Sequence, residues 1–500
     1  MVKIYSSDFF INRLIFYYSL SGYFLTVLLL LFNNHDTLNI IPGIVFLITT
    51  SILVNHGKFK KSPLAIPICF FTFIFLNIPT VYLFIQGNEY IFGNGLVGIP
   101  FTQKEYHNSI FYGFLFLTLC WFSIWYGSIV VDKISYKNKF YLRRYSITPF
   151  VLIIFAISIL ILHFNIHIES VNNLLNNDVV SQSKIGVLFS MHAFVTLAGT
   201  IAYLQLNFKE KITYKNEKSY KLAIGFIFVI FLFYQSYTGG KAAILQIMTM
   251  IFLVNIAMSR EFEKTRIIFL SKKLFWLLLL LAPILYTVVL FKRISIGSGV
   301  AFEFSSIFFL IQEVEIQDIF HNIMLRLSSG GLDRYFLLFN SFILDSYSHI
   351  VAIDYSVYVS KNTINLVVPG TIFPEAYAPS GQLFSQVINK DVVGWSGGAD
   401  QLLLLKSLNT SPYTGIGEAI VLFGLFAPFF LFIITATVLF IYFRVKNPII
   451  KTAMIFLFFQ AIPSFGIDGV IGDSFNLLIS MFVIYFCMKA VDLFFTIHKK

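Results

Sequence analysis

The amino-acid sequence predicts an all-α, polytopic integral membrane protein with about twelve transmembrane helices. Hydrophobic residues occupy 57% of the 500 positions, charged residues occupy only 12%, and the mean hydropathy is +0.79. This balance lies far outside that of soluble globular domains. The sequence also contains about a dozen apolar runs near the roughly 20 residues that a helix needs to cross a hydrocarbon core. Finally, lysine and arginine concentrate in alternate loops between those runs, as they do in multi-pass membrane proteins.

The predicted spans form a group of nine, then a long polar segment, then a group of three. The first apolar run is too long for a cleavable signal peptide and lacks a small-residue cleavage site, so it is interpreted as the first span. The spans cover approximately residues 14–32, 38–55, 63–86, 109–131, 148–164, 185–207, 222–238, 241–258, 274–291, 417–442, 449–466 and 470–492.

The basic loops predict the orientation of the chain, because cytoplasmic loops carry the excess of lysine and arginine. The net charge of +11 has the same origin, since no soluble segment shows the basic stripe with stacking aromatics that binds nucleic acid. Both termini are expected on the cytoplasmic side and the long polar segment on the external side. The basic loops contain Lys58, Lys60 and Lys61; Lys133, Lys137, Lys139, Arg143 and Arg144; Lys209, Lys211, Lys215 and Lys218; Arg260, Lys264, Arg266, Lys272 and Lys273; and Arg444 and Lys446.

The chain therefore divides into an N-terminal membrane domain at 1–291, a large external loop at 292–415 and a C-terminal membrane region at 416–500. The loop mixes apolar stretches with turn signals such as Pro369-Gly370. This pattern predicts short amphipathic helices at the outer membrane face, whereas a disordered linker would be more polar and more highly charged. So long a polar segment in so apolar a chain is the expected place for its chemistry.

The first motif joins the seventh and eighth spans and runs from Tyr234 to Lys241 (YQSYTGGK). Gly239 and Gly240 allow a tight turn and leave backbone amides available to meet an anion beside the Lys241 ammonium group. The alternative interpretation is a plain helical hairpin in which Lys241 extends to the membrane interface.

The second motif is a set of external arginines. Arg293 follows the ninth span, and Arg326 and Arg334 bracket the sequence RLSSGGLDR, with His321 upstream. Guanidinium groups remain charged and bind phosphate through paired N–H donors, so these residues predict contact with a phosphate or pyrophosphate headgroup. In the alternative interpretation Arg334 pairs with Asp333 and Arg326 extends to the interface.

The third motif, TSPYTGIGEA, opens the tenth span and contains Glu418. The helix dipole favours a carboxylate at this end of a helix, so a capping role alone is one interpretation. An ionisable group at a membrane boundary is also a functional candidate by default. Glu418 could orient an arginine or act on a sugar hydroxyl.

His321 is the leading candidate for a base, because an imidazole can both accept and donate a proton near neutral pH. The other external or boundary candidates are Asp333, Glu375, Asp400 and Asp468. The sequence contains no GxxxxGK[ST], HExxH or GxSxG motif. ATP-driven transport by this chain is therefore not expected.

Two of these motifs resemble segments of a known family. The run from Ser236 to Ala243 resembles the glycine-rich, basic segment of O-antigen polymerases of the Wzy type. Gly417-Glu418-Ala419 with Phe423-Gly424 resembles their Gly-Glu-Ala segment after the large periplasmic loop. The span count and loop placement are similar over most of the chain. This sequence has Lys241 where the family often has arginine, which retains the charge and changes the phosphate contact.

The resemblance implies a GT-C-like membrane fold and a metal-independent glycosyltransferase that needs no cofactor. Such an enzyme joins oligosaccharide repeat units carried on undecaprenyl pyrophosphate, for lipopolysaccharide O-antigen or capsule, at the outer face of the bacterial inner membrane. The lipid bilayer and a chain-length regulator membrane protein would be its further partners. The residues then expected to bind pyrophosphate or sugar are Lys241, Arg293, Arg326, Arg334, Gly239 and Gly240, and those expected to be catalytic are His321 and Glu418.

Two alternatives stay open at the level of sequence. A ligase of the same family would transfer a finished glycan to a lipid A core, and only the acceptor distinguishes it from a polymerase. A flippase or other transporter would instead move the lipid-linked unit across the bilayer. Transporters place their binding sites near the midplane on broken helices, whereas the charges here cluster in one external loop, which favours the enzyme.

Overall fold

The computed structural model describes residues 7–32, 37–86, 103–131, 147–175, 188–208, 214–238, 332–339, 343–344, 357, 360–361, 364, 415–461 and 467–497. Within this part of the chain all regular secondary structure is helical, as the sequence predicts. The helices are α1 (Ser7–Phe32), α2 (Thr37–Leu53), α3 (Gly57–Lys61), α4 (Ala65–Phe71), α5 (Ile78–Gln86), α6 (Gln103–Val130), α7 (Pro149–Leu175), α8 (Met191–Phe208), α9 (Tyr214–Thr238), α10 (Leu332–Phe339), α11 (Gly415–Phe423), α12 (Ala427–Arg444), α13 (Pro448–Ala461) and α14 (Ile467–Ile497).

Six helical segments of this described part are long and apolar enough to cross a membrane. They are Asn12–Leu31, Ala65–Ile85, Asn108–Val130, Pro149–Ile168, Gly415–Arg444 and Asn476–Phe495. The fold is therefore that of an all-helical, polytopic membrane protein, which confirms the predicted class. The predicted spans from the first to the seventh and from the tenth to the twelfth each coincide with a helix or helix pair. The eighth and ninth, at 241–258 and 274–291, lie outside the described residues.

The first bundle consists of α1 to α6 together with α10, α11 and α12, which share one buried core. Aromatic rings fill much of that core, and Trp121, Phe46 and Phe114 are among its largest fully buried side chains. Contacts at two levels give the helix directions. Trp125 bonds the Leu53 carbonyl oxygen while Phe114 packs against Phe46, so α6 runs parallel to α2.

A π-helical turn at Thr72–Asn77 joins α4 to α5 inside one predicted span. The turn ends just before Pro79, which has no N–H and whose ring would crowd the carbonyl four residues earlier in a regular α-helix. Two residues of the turn make interhelical hydrogen bonds: Trp121 Nε1 donates to Thr72 Oγ1 (2.8 Å), and Asn77 Nδ2 donates to Tyr18 Oη (3.1 Å). The turn thus connects α4 and α5 to α6 and α1 within the apolar interior.

The second bundle consists of α7, α8, α9, α13 and α14 around a core that is mainly aliphatic and phenylalanine. Side-chain bonds connect its helices at one end. The Tyr220 hydroxyl donates to the Ile147 carbonyl oxygen (2.5 Å), and Asp492 Oδ1 accepts the Thr148 backbone N–H (2.9 Å). Helix α13 joins the two bundles, because its residues contribute to both cores.

Candidate functional site

Helix α10 belongs to the predicted external loop and contacts the membrane helices. It packs against both α6 and α11. Its Tyr335 hydroxyl donates to the Gly113 carbonyl oxygen of α6 at 2.6 Å, and its Phe336 ring meets Phe114 edge-on with ring centroids 4.9 Å apart. Burial raises the pKa of Tyr335 well above its ordinary value, with Cys120 adding to the effect, so the hydroxyl keeps the proton that it donates.

Gly113 allows this close approach. A Cβ at position 113 would lie 2.7 Å from Phe336 Cε1 and 2.8 Å from Cδ1, well inside ordinary van der Waals contact. The aromatic face of α10 therefore lies directly on the backbone of α6, and the sequence position that permits it is a glycine.

Helix α11 is a nine-residue helix that is enclosed by protein along most of its length, since every residue from Ile416 to Val421 is buried. Glu418 is only 2% exposed and lies in the first turn, where the helix dipole stabilises a carboxylate. Gly424, with φ of +53°, ends the helix in a conformation that favours glycine. The following α12, at 18 residues, is about 27 Å long and nearly matches the hydrocarbon thickness by itself.

The structure brings together two of the predicted site segments. Arg334 belongs to α10 and Glu418 to α11, and these two helices are in contact. The remaining predicted site residues lie outside the described residues: Gly239, Gly240, Lys241, Arg293, His321 and Arg326.

A second group of polar contacts lies at the far end of α9, next to the predicted YQSYTGGK motif. Tyr234, the first residue of that motif, donates its hydroxyl proton to the His163 carbonyl oxygen (2.8 Å). His163 Nε2 lies 3.0 Å from the Phe189 carbonyl oxygen, and because a carbonyl only accepts, this nitrogen carries the proton in that bond. The contacts hold the middle of α7 beside the end of α9 and beside the segment that precedes α8.

Contacts at two levels also give helix directions within each bundle. Gly127 of α6 meets Thr435 of α12, while α10 links Gly113 to α11, so α6 and α12 run parallel. In the second bundle, Tyr220 meets Ile147 and Tyr234 meets His163, so α7 and α9 run parallel. Asp492, near the end of α14, contacts Thr148 at the start of α7. His163 lies further along α7, at the level of Tyr234 near the end of α9.

Sequence reasoning missed the contact of Tyr335 with Gly113 and the contact of Tyr234 with His163. No local signal marks them, because Tyr335 is 222 positions from Gly113 and Tyr234 is 71 positions from His163. Only the packing of the helices brings them together.

Comparison of the chain with models of known protein families, with curated protein sequences and with solved structures gives no match.

Proposed function

We propose that the chain is a polymerase of undecaprenyl-pyrophosphate-linked oligosaccharide repeat units in the synthesis of a surface polysaccharide, either O-antigen or capsule. One observation carries the proposal. Helix α10, which contains Arg334, docks between α6 and α11, which contains the buried Glu418. A phosphate-binding residue type and a candidate base thus belong to touching helices at one end of a membrane bundle.

The proposed setting is the bacterial inner membrane, with about twelve spans in a GT-C-like arrangement, both termini cytoplasmic and the α10–α11 end external. The distribution of charge supports this orientation. Lys58, Lys60 and Lys61 follow α2, and Arg444 and Lys446 follow α12, all at the opposite end of the first bundle. Cytoplasmic loops are the ones that carry such basic residues.

In the proposed reaction a hydroxyl of the incoming lipid-linked unit attacks the anomeric carbon of the growing glycan. The bond from that carbon to the pyrophosphate oxygen breaks, a glycosidic bond forms, and undecaprenyl pyrophosphate leaves with the bonding electron pair. Glu418 or His321 accepts the hydroxyl proton. Arg334 and Arg326 stabilise the negative charge that builds on the departing pyrophosphate.

The cationic part of the proposed site also includes Lys241 and Arg293. The turn at Gly239 and Gly240 would add backbone N–H donors to the same anion. The tie between Tyr234 and His163 supports this assignment, because it fixes the end of α9 one turn before the glycines. A chain-length regulator membrane protein is the further partner that we propose.

The function is tested by deleting the gene in its host and separating the surface glycans on a gel. A polymerase predicts that single capped repeat units replace the long-chain ladder. Lipid-linked units that accumulate on the cytoplasmic face would identify a flippase. A normal ladder that stays on the lipid carrier would identify a ligase, and an unchanged surface ladder would contradict all three activities.

A further inference from the structure

We propose that Tyr335 and Gly113 are positioning residues that hold α10 in place at the substrate site. This inference rests on the proposed function, since its consequence is the placement, beside α11, of the helix backbone that carries Arg334, the proposed pyrophosphate ligand. It assigns a role to two residues that make no substrate contact themselves and act through the helix that carries Arg334.

The first argument is that α10 needs its docking contacts. An eight-residue helix is about 12 Å long, and isolated helices shorter than about 12 residues are marginal in water. Helix α10 is instead held by burial, with Leu332, Tyr335 and Phe336 each at most 1% exposed. A substitution that weakens the packing of these residues is therefore expected to displace or unwind the whole helix.

The second argument is that the buried face of α10 can neither rotate about the helix axis nor move closer to or further from α6. The Tyr335 hydroxyl meets one backbone oxygen, the carbonyl of Gly113, and the Phe336 ring lies against the same residue, where a Cβ would overlap it. The Phe339 ring, one turn further on, packs 5.6 Å from the ring of Phe116. A directional hydrogen bond and a close steric contact at one residue leave little freedom for sliding or turning.

The third argument connects this docking to position 334. The buried residues of α10 are at 332, 335, 336, 338 and 339, which together cover one side of the helix. At 3.6 residues per turn, position 334 falls on the remaining face. The docking contact on α6 thereby sets the position of the Arg334 backbone beside α11.

Two variants test the contact, each with a matched control. Tyr335→Phe removes only the hydroxyl, and Tyr220→Phe removes a hydroxyl that also donates to a backbone carbonyl, but in the second bundle. Gly113→Ala forces a Cβ against Phe336, whereas Gly57→Ala places a Cβ where nothing lies within 4 Å. A third variant, Gly113→Ala with Phe336→Leu, replaces the rigid ring with a smaller and more flexible side chain.

Amide hydrogen exchange of α10 in lipid nanodiscs measures the docking independently of any activity. Chain extension of purified undecaprenyl-pyrophosphate-linked repeat unit measures its consequence. We expect faster exchange across α10 in Tyr335→Phe and Gly113→Ala, with kcat/KM per folded protein lowered about five- to tenfold, because a displaced Arg334 stabilises the departing pyrophosphate less well. Both controls should match wild type, and Phe336→Leu should recover part of the kcat/KM of Gly113→Ala. A purely structural defect would lower the folded fraction, measured by size-exclusion chromatography, and would leave kcat/KM per folded protein at the wild-type value.

Unchanged exchange in both variants would overturn the docking role, whatever the activity. Faster exchange with an unchanged kcat/KM per folded protein would overturn the positioning role while leaving the polymerase intact. If wild-type protein extends no chain, both the proposed function and the positioning role are refuted. The exchange data would then test only whether Tyr335 and Gly113 dock α10.

Discussion

The two bundles differ in where side chains connect their helices. In the first bundle, interhelical hydrogen bonds occur at several depths, from the contact of Asn55 with Ser19 near the basic loop to the Trp121–Thr72 bond in the interior and the Tyr335–Gly113 bond at the other end. In the second bundle, the interhelical bonds described above lie at the start of α7, at Ile147 and Thr148, and near its middle, at His163. The described core of this bundle is mainly aliphatic and phenylalanine, and its helices also bury Thr196, Thr200 and Ser480.

This difference indicates two ways of specifying a helix bundle in lipid. Apolar contact alone discriminates weakly between alternative pairings there, because lipid is as apolar as the helices, so close backbone approach and hydrogen bonds decide which helices meet. The first bundle uses both devices along its length, and it is the bundle on which α10 docks. The second bundle combines its polar contacts at Ile147, Thr148 and His163 with aliphatic and phenylalanine packing.

The largest expected effect is at the contact between α6 and α12. A Cβ at Gly127 would lie 2.9 Å from the Phe432 carbonyl oxygen and 3.0 Å from Thr435 Cβ, so Gly127→Leu must separate two helices of the first bundle. We expect the free energy of unfolding to fall by about 3 kcal/mol, measured by thermal unfolding in detergent. Gly57→Leu is the control, because nothing lies within 4 Å of a Cβ there. Equal stability of the two variants would contradict the importance of close backbone approach.

The next effect is at one end of the second bundle. Asp492→Ala removes the acceptor of the Thr148 N–H at the start of α7, and we expect a loss of about 1–2 kcal/mol in unfolding free energy. Asp492→Asn keeps an oxygen acceptor and should lose less. If Asp492→Ala unfolds at the wild-type temperature, the hydrogen bond between Asp492 and Thr148 does not stabilise this bundle.

A smaller effect is expected inside the first bundle. Trp121→Phe and Thr72→Val each remove the bond between Trp121 Nε1 and Thr72 Oγ1, and the bond itself should contribute about 1 kcal/mol. Because both variants delete the same bond, the double variant should lose less stability than the sum of the single losses. Strictly additive losses in this double-mutant cycle would show that the bond contributes nothing.

The smallest effect is at the surface of α9. Lys221 donates to Glu217 at 2.7 Å, but their side chains are 46% and 30% exposed. Lys221→Ala should therefore change the unfolding free energy by at most about 0.5 kcal/mol, since water and salt screen such pairs. A loss above about 1 kcal/mol would mean that this pair contributes as much as the buried ties.

The fold class was predictable because a membrane span is a local property. The length and apolarity of the runs at 14–32, 109–131 and 148–164 are readable without knowing what each helix touches, and each coincides with a helix. The π-helical turn at Thr72–Asn77 was not predicted, although Pro79 gave a local reason to expect an irregular helix near it. Pairing of helices was also beyond the sequence, since it depends on contacts such as that of Gly127 with Thr435.

The candidate site was predictable only by residue type. An arginine-bearing segment that is predicted to be external and a carboxylate at a span start were recognisable as Arg334 and Glu418, and their helices do meet. That α10 would be buried on α6 was not recognisable, because the glycine that permits it, Gly113, looks like any other glycine in an apolar run. The predictions for Lys241, Arg293, His321 and Arg326 remain predictions.

The most direct test of the central claim is chain extension by purified protein in lipid vesicles supplied with undecaprenyl-pyrophosphate-linked repeat unit. Wild-type protein and Arg444→Ala, which changes an arginine at the opposite end of α12, are expected to produce a ladder of long products. Arg334→Ala and Glu418→Gln, inserted in equal amounts, are expected to lose at least about 100-fold in rate. If both of these variants produce the same ladder as wild type, the α10–α11 end is not the site of polymerisation.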